Sequence, residues 1–306
     1  MPPEQSLQPN LPSREELNQI PDLSSEDTAA LIDAANRVQE LQRREEQGEL
    51  SPDIMQSNQE VYKFLGLTYD DGRTIDLQEE LKQGNIQNIP SPEQKERAEQ
   101  EGYTLGILTP EGLRDEIQKQ FKSKFASIFS SQGFYDYTNG QDINQTEHFK
   151  NDNQKTGKFF FAMIKLDKET KDIQPKTTDL TFPEIEEILQ KHNQDPANRD
   201  FQLQGLTIEQ YLLFITRYYL DHQQEIQNEI KSRSQQGIAQ DKMKITTMPD
   251  TESWCFLLKE IIESSDPEKR RCLSADWYPG GRRVNVLSND VSHRDPEYGA
   301  RFAAVA

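Results

Sequence analysis

The chain has 306 residues, enough for one large domain or two ordinary ones, with 33% hydrophobic and 29% charged residues and a formal net charge of −18. That apolar share is low for a compact domain, so part of the chain is expected to be solvated, helical or disordered. The charge argues against a nucleic-acid partner, because phosphates are gripped by Lys and Arg that release counterions. Only Lys269-Arg270-Arg271 with Arg282-Arg283 could form a basic patch.

Residues 1–22 hold Pro2, Pro3, Pro9, Pro12 and Pro21 among polar residues and read as a disordered tail. Ser24-Ser25-Glu26-Asp27 opens a helix whose apolar face carries Leu31, Ala34, Ala35, Val38 and Leu41 and which stops at Gly48. A second helix starts near Ser51-Pro52 and carries Ile54, Val61, Phe64 and Leu65. Tyr69 to Gly72 reads as a turn, residues 76–83 as a short helix closed by Gly84, and Ser91-Pro92 as a helix start with proline in the first helical position. Gly102 ends that helix, and residues 23–102 are read as a helical arm.

The pattern changes at Tyr103. Residues 103–108 form a short apolar strand or entry turn, and Thr109-Pro110-Glu111 caps a helix with Leu113, Ile117, Phe121, Phe125 and Ile128 on one stripe. Residues 132–158 are polar and read as a loop, and 159–166 as a buried strand. Helices open at Thr181-Phe182-Pro183 and at Thr207, whose partner Gln210 completes a capping box. Residues 232–244 read as a hinge or loop, and 250–262 carry Trp254, Phe256, Leu257 and Leu258. Two short strands, 273–277 and 284–287, flank a Pro-Gly-Gly turn; a polar loop and a small-residue strand follow. The fold class expected is α+β, with a helical N-terminal region before short antiparallel strands.

Signatures of catalysis are missing. There is no phosphate loop, no spaced-glycine nucleotide fingerprint and no Gly-x-Ser-x-Gly elbow. His148, His192, His222 and His293 show no metal-ligand spacing, and Cys255 and Cys272 are far from CxxC. The acids around Asp70 and between Asp290 and Asp295 lack calcium-loop spacing and read as turn chemistry. No metal and no cofactor is expected. No apolar leader is visible near Met1, and no run approaches the roughly 18 apolar residues that span a bilayer. A cytoplasmic, reducing location is the expectation, with the two cysteines as buried thiols rather than a disulfide.

Along the chain end stand Leu273-Ser274-Ala275-Asp276-Trp277-Tyr278-Pro279, then Arg282-Arg283-Val284-Asn285-Val286, Ser288-Asn289-Asp290-Val291, Arg294 and Gly299-Ala300-Arg301. This order resembles the C-terminal variable region of target proteins of diversity-generating retroelements. Those proteins have the formylglycine-generating-enzyme-like branch of the C-type lectin fold. Upstream, Asp250-Thr251-Glu252-Ser253-Trp254-Cys255-Phe256-Leu257 is similar to the Asp-Thr-x-x-Trp segment that precedes such regions. The resemblance covers about the last hundred residues. It implies a C-type lectin-like domain over 103–306, a variable region at about 272–306, and codons there rewritten at adenines by an error-prone reverse transcriptase.

It also implies a non-enzymatic protein that recognises a protein or other macromolecular ligand. With Val284 and Val286 inward, Asn285 and Leu287 point outward by strand alternation. Tyr278, Asn289, His293, Asp295 and Tyr298 lie in or beside turns, where adaptable contact residues are useful. These seven form the expected ligand surface, while Trp254, Trp277, Arg294, Gly299 and Arg301 are expected to hold the frame. The N-terminal helices are left for self-association or partner docking. Cys255 and Cys272 do not match the enzyme's thiol or copper arrangement. Asn289-Asp290 lacks the Trp that precedes it in calcium-dependent lectins, and Glu297 lacks the Pro-Asn sequel. A thiol enzyme of the formylglycine-generating type and a structural assembly protein are the rival readings.

Overall fold

The computed structural model describes residues 50–305, apart from 70, 138–156, 200, 240–241, 263, 265, 267 and 268. The expected tail over 1–22 and the helix of residues 24–48 lie outside the described residues, as do His148 and most of the loop expected over 132–158. Elements are numbered over the described part. In chain order they are α1 (Pro52–Leu65), α2 (Leu77–Lys82), β1 (Ile86–Gln87), α3 (Pro92–Gln100), β2 (Tyr103–Pro110), α4 (Arg114–Phe129), β3 (Phe134–Tyr137) and β4 (Phe159–Lys165). There follow α5 (Phe182–Gln194), β5 (Gln202–Gly205), α6 (Ile208–Asp221), α7 (Gln223–Gln235), β6 (Trp254–Ile262), β7 (Arg271–Tyr278), β8 (Arg283–Asp290), β9 (Tyr298–Ala300) and β10 (Phe302–Val305). The α+β class is thus realised.

Local chemistry sets most helix starts. Ser51 accepts a hydrogen bond from the Ile54 amide ahead of Pro52, and Asp76 caps α2 from its side chain. Complete capping boxes open α3 (Ser91 with Gln94), α5 (Thr181 with Glu184) and α6 (Thr207 with Gln210). Gly66 ends α1 in the left-handed region at φ 76°. The strand β2 runs through Pro110, so the helix expected from Thr109 begins only at Arg114.

Two five-stranded sheets carry the fold. In the first, β4 pairs with β1 in parallel and with β2 and β10 antiparallel, and β10 pairs antiparallel with β5. The second has the order β3-β8-β7-β6-β9, with β7 antiparallel to both β6 and β8, and β3 and β9 parallel on the two edges. The chain leaves the second sheet at Ala300 and enters the first at Phe302. The sheets touch where β5 crosses β6: a Cβ on Gly205 would lie 2.2 Å from the Cβ of Leu258, so only glycine fits.

The boundary expected at residue 103 is not a boundary of the fold. Glu49–Ala306 form one compact unit. Leu50, Met55, Tyr62, Leu65, Ile75, Ile86 and Ala98 are buried in the same core as Phe125, Phe214 and Trp277. Asn58 fixes α1 to β2, its side chain donating to the Gly106 carbonyl and accepting from the Leu108 amide, and the Tyr62 hydroxyl donates to the Leu108 carbonyl at 2.7 Å. The helices of residues 50–102 are therefore part of the domain that they were expected to precede.

Candidate functional site

Strand alternation builds the frame first. Val284 and Val286 of β8 pair with Trp277 and Ala275 of β7, and all four side chains are buried. Trp277 packs edge-on to Phe129, ring centroids 5.0 Å apart, and its Nε1 donates to the Ile245 carbonyl at 3.0 Å. Trp277, expected in the frame, has a fully buried side chain.

Arg301, in the single-residue step between β9 and β10, is fully buried. Its Nη2 and Nε donate to both Asp250 oxygens, at 2.8 and 3.1 Å, and its nitrogens also reach the carbonyls of Lys165 and Lys168. Asp250 in turn accepts from the Thr170 amide and hydroxyl and from Tyr211. A buried charge pair with this many supporting hydrogen bonds is costly to disturb. Gly299 lies against three threonines, where a Cβ would be 3.1 Å from Thr170 and Thr177 and 3.3 Å from Thr178. Arg294 is exposed and ties the final loop to the start of α5, donating to Glu184 and to the Asp179 carbonyl. The Thr181 amide and hydroxyl, then Arg294, hold the Glu184 carboxyl down at about 2.

The opposite face of the sheet carries the expected ligand residues. Tyr278, at the end of β7, is 45% exposed. Its ring lies over the Pro-Gly-Gly turn, where a Cβ on Gly281 would come within 2.6 Å of it. The Arg283 guanidinium sits 5.7 Å from the Tyr278 ring and 4.4 Å from that of Tyr135 on β3. Leu287, Asn289, His293 and Asp295 are half-buried. Asn289 donates to the Ser274 hydroxyl at 2.6 Å, and Asp295 accepts from the Glu297 amide at 2.8 Å. The His293 ring meets Tyr298 edge-on at 4.8 Å.

Two of the seven expected ligand residues are corrected. Asn285 lies on the face opposite Val284 and Val286, as alternation requires, yet it is only 5% exposed. It hydrogen-bonds Asp276 across the β7–β8 pair and accepts from Arg283 Nε at 2.9 Å, with β3 closing the edge beside it. Tyr298 is 8% exposed, stacked on Trp254 with centroids 5.5 Å apart and planes at 6°. Trp254, expected in the frame, is instead half-buried on this face.

Asp276 was missed as a site residue, although it alternates with Ser274 and Tyr278. Its carboxyl is buried and Oδ1 has no hydrogen-bond partner. Burial pushes this carboxyl up to about 8; the Asp250 charge adds to the shift, while the Asn285 hydrogen bond and Arg283 oppose it.

The face offers hydrogen-bonding groups and aromatic surface. Cys255 and Cys272 are free and buried, and burial pushes both thiols up to about 12, so neither supplies a thiolate at neutral pH. Among the described residues no three His, Cys, Asp or Glu side chains group as a metal site, and no helix is long and apolar enough to cross a membrane. A separate cavity of about 280 Å³ is lined by Thr109, Glu111, Phe160, Gln204, Glu209 and Lys259. No family model matches this chain, and no curated protein or solved structure matches it.

Proposed function

We propose that the protein is a non-enzymatic binder that presents a replaceable recognition face on a fixed C-type lectin-like frame, as the variable target proteins of diversity-generating retroelements do. The observation that carries this reading is the division of β7 and β8 into two faces. Trp277, Val284 and Val286 are sealed in the core, while Tyr278, Leu287 and Asn289 stand on the other side, flanked by His293 and Asp295. Side chains on that side can change without disturbing the packed interior. Aromatic anchors surrounded by adaptable polar groups suit recognition of a protein surface. Action inside the cell agrees with two unpaired thiols.

A library of the full chain randomised at Tyr278, Leu287, Asn289 and His293 tests the reading. Most members are expected to fold, and selection against unrelated proteins is expected to yield binders; general loss of folding, or no binder at all, overturns it. The retroelement origin has its own test in the flanking DNA. A reverse-transcriptase reading frame and a near-copy of the last codons, differing at adenines, are expected, and their absence overturns that origin. Native alkylation addresses the thiol-enzyme rival: both cysteines are expected to label only on unfolding, and fast labelling of either would favour the enzyme.

A further inference from the structure

The fold leaves a cavity where its first sheet meets the start of α6, with no residue of β7 or β8 in its lining. Strand register explains which side chains reach it. Thr109 of β2 stands opposite Phe160 of β4; further along β4, Ile164 is opposite Ala303, which is itself opposite Gln204 of β5. Directly paired residues, and residues an even step apart on one strand, share a face, so Thr109, Phe160 and Gln204 project from the same side of the sheet. Thr207, Glu209 and Gln210, at the start of α6, contribute the helical wall. The space is about 280 Å³, many times the roughly 15 Å³ that one water requires and near the lower end of small-ligand pockets.

The wall is polar at its deepest part. Glu209 is only 3% exposed, and Thr207 and Gln210 are buried beside it, satisfying each other through the capping box. The Arg114 guanidinium lies 3.9 Å from the Glu209 carboxylate and 3.0 Å from that of Glu260, whose other oxygen accepts from the Ile208 amide. Two buried carboxylates thus share one buried guanidinium at this end. Glu111 brings another negative charge to the wall. Lys259 brings a positive one at the exposed rim, where its Nζ donates to Gln204 across the β5–β6 contact. The Thr109 Oγ1 is buried and meets no hydrogen-bond partner among the described residues. A buried hydroxyl with nothing to bond, beside a buried carboxylate on the wall of an open space, suits a ligand that donates hydrogen bonds.

We propose that this cavity binds a free small molecule carrying a primary ammonium group on a short, largely apolar stem. Its lining holds two carboxylates to one lysine, so a cation is favoured over a neutral molecule or an anion. An ammonium group has three N–H donors, which suit the carboxylates of Glu209 and Glu111 and the hydroxyl of Thr109. Phe160 and Pro110 supply apolar surface for the stem, and Gln204 and Lys259 supply polar groups for its far end. The cavity shares no residue with the proposed recognition face, so the two sites stand or fall separately.

The test uses the full chain and three probes matched in length: 6-aminohexanol, 1,6-hexanediol and hexanoate. The readout is the backbone amide resonances of Thr109, Glu111 and Gln204. Saturable shifts are expected with 6-aminohexanol, with the diol and hexanoate binding at least about tenfold more weakly. Thr109→Val keeps a β-branched side chain and removes only the unpartnered hydroxyl. It is expected to melt with the parent and to weaken binding of the amine about three- to tenfold. Glu209→Gln is expected to lose the amine altogether. Since Arg114 also contacts Glu209, the Thr109 variant keeps the test decisive if this one folds poorly. Equal binding of the diol, a preference for hexanoate, shifts that spread over the surface without saturating, or undiminished binding by Thr109→Val overturns the site.

Discussion

Replacing Arg301 with methionine probes the frame at its most heavily bonded point. The substitution keeps an unbranched chain in the site but removes every donor. It strands the Asp250 carboxylate with hydroxyl and amide partners alone, Thr170, Tyr211 and, at 3.5 Å, Ser253, and leaves the Lys165 and Lys168 carbonyls without the guanidinium. Both charges are fully buried, and removing one member of such a pair costs about 3–5 kcal/mol. For a unit of this size that corresponds to a fall in Tm of roughly 6–20 °C. Urea unfolding of Arg301→Met, Asp250→Asn and the double variant measures the loss and the coupling. The double variant is expected to lose less than the sum of the two singles, because the stranded charge has gone. A loss below about 1 kcal/mol for Arg301→Met, or strict additivity, would refute the view that this pair locks the step between the two sheets.

Three further outcomes are expected. Asn285→Ala removes the partner of Asp276 and an acceptor for Arg283, and should cost about 1–3 kcal/mol in denaturant melts; an unchanged midpoint would mean that Asn285 stands free after all. Asp276→Asn should stabilise the protein increasingly as pH rises. The folded carboxyl keeps its proton to about pH 8 while the unfolded one ionises near 4, so wild-type stability falls across that window, by on the order of 4 kcal/mol at pH 7. Melts of both proteins from pH 4 to 8 check this, and a difference that does not grow with pH would contradict it. Gly205→Ala forces a methyl group into the Leu258 side chain and should lower stability by about 1–3 kcal/mol in urea melts, whereas a neutral result would show that the sheets can move apart there.

What the sequence revealed depended on how local the cause was. The helix start at Ser91 and the capping box at Thr207 are legible because each of their hydrogen bonds spans three residues. The strands β7 and β8 are legible because their alternation is regular and a Pro-Gly-Gly turn joins them. Residues 50–102, read as part of a helical arm, hold few large apolar side chains for a core of their own. They need none, since Tyr62 and Asn58 reach β2 more than forty residues away. The four-residue β3 was hidden in a polar stretch because its partner β8 lies about 150 residues further on. Its omission explains the misreading of Asn285: alternation tells which side of a sheet a residue faces, but depth depends on what covers that side. Asp276 escaped notice for the same reason, since its unpaired oxygen is a product of the assembled face and not of any local pattern.

The separation of a fixed frame from a replaceable face is tested most directly by a protease-resistance scan of every single substitution across residues 272–305 in the full chain. The account predicts broad tolerance at Tyr278, Leu287, Asn289 and His293, and sharp loss of resistance at Trp277, Val284, Val286, Gly299 and Arg301. Equal sensitivity in the two sets would contradict it.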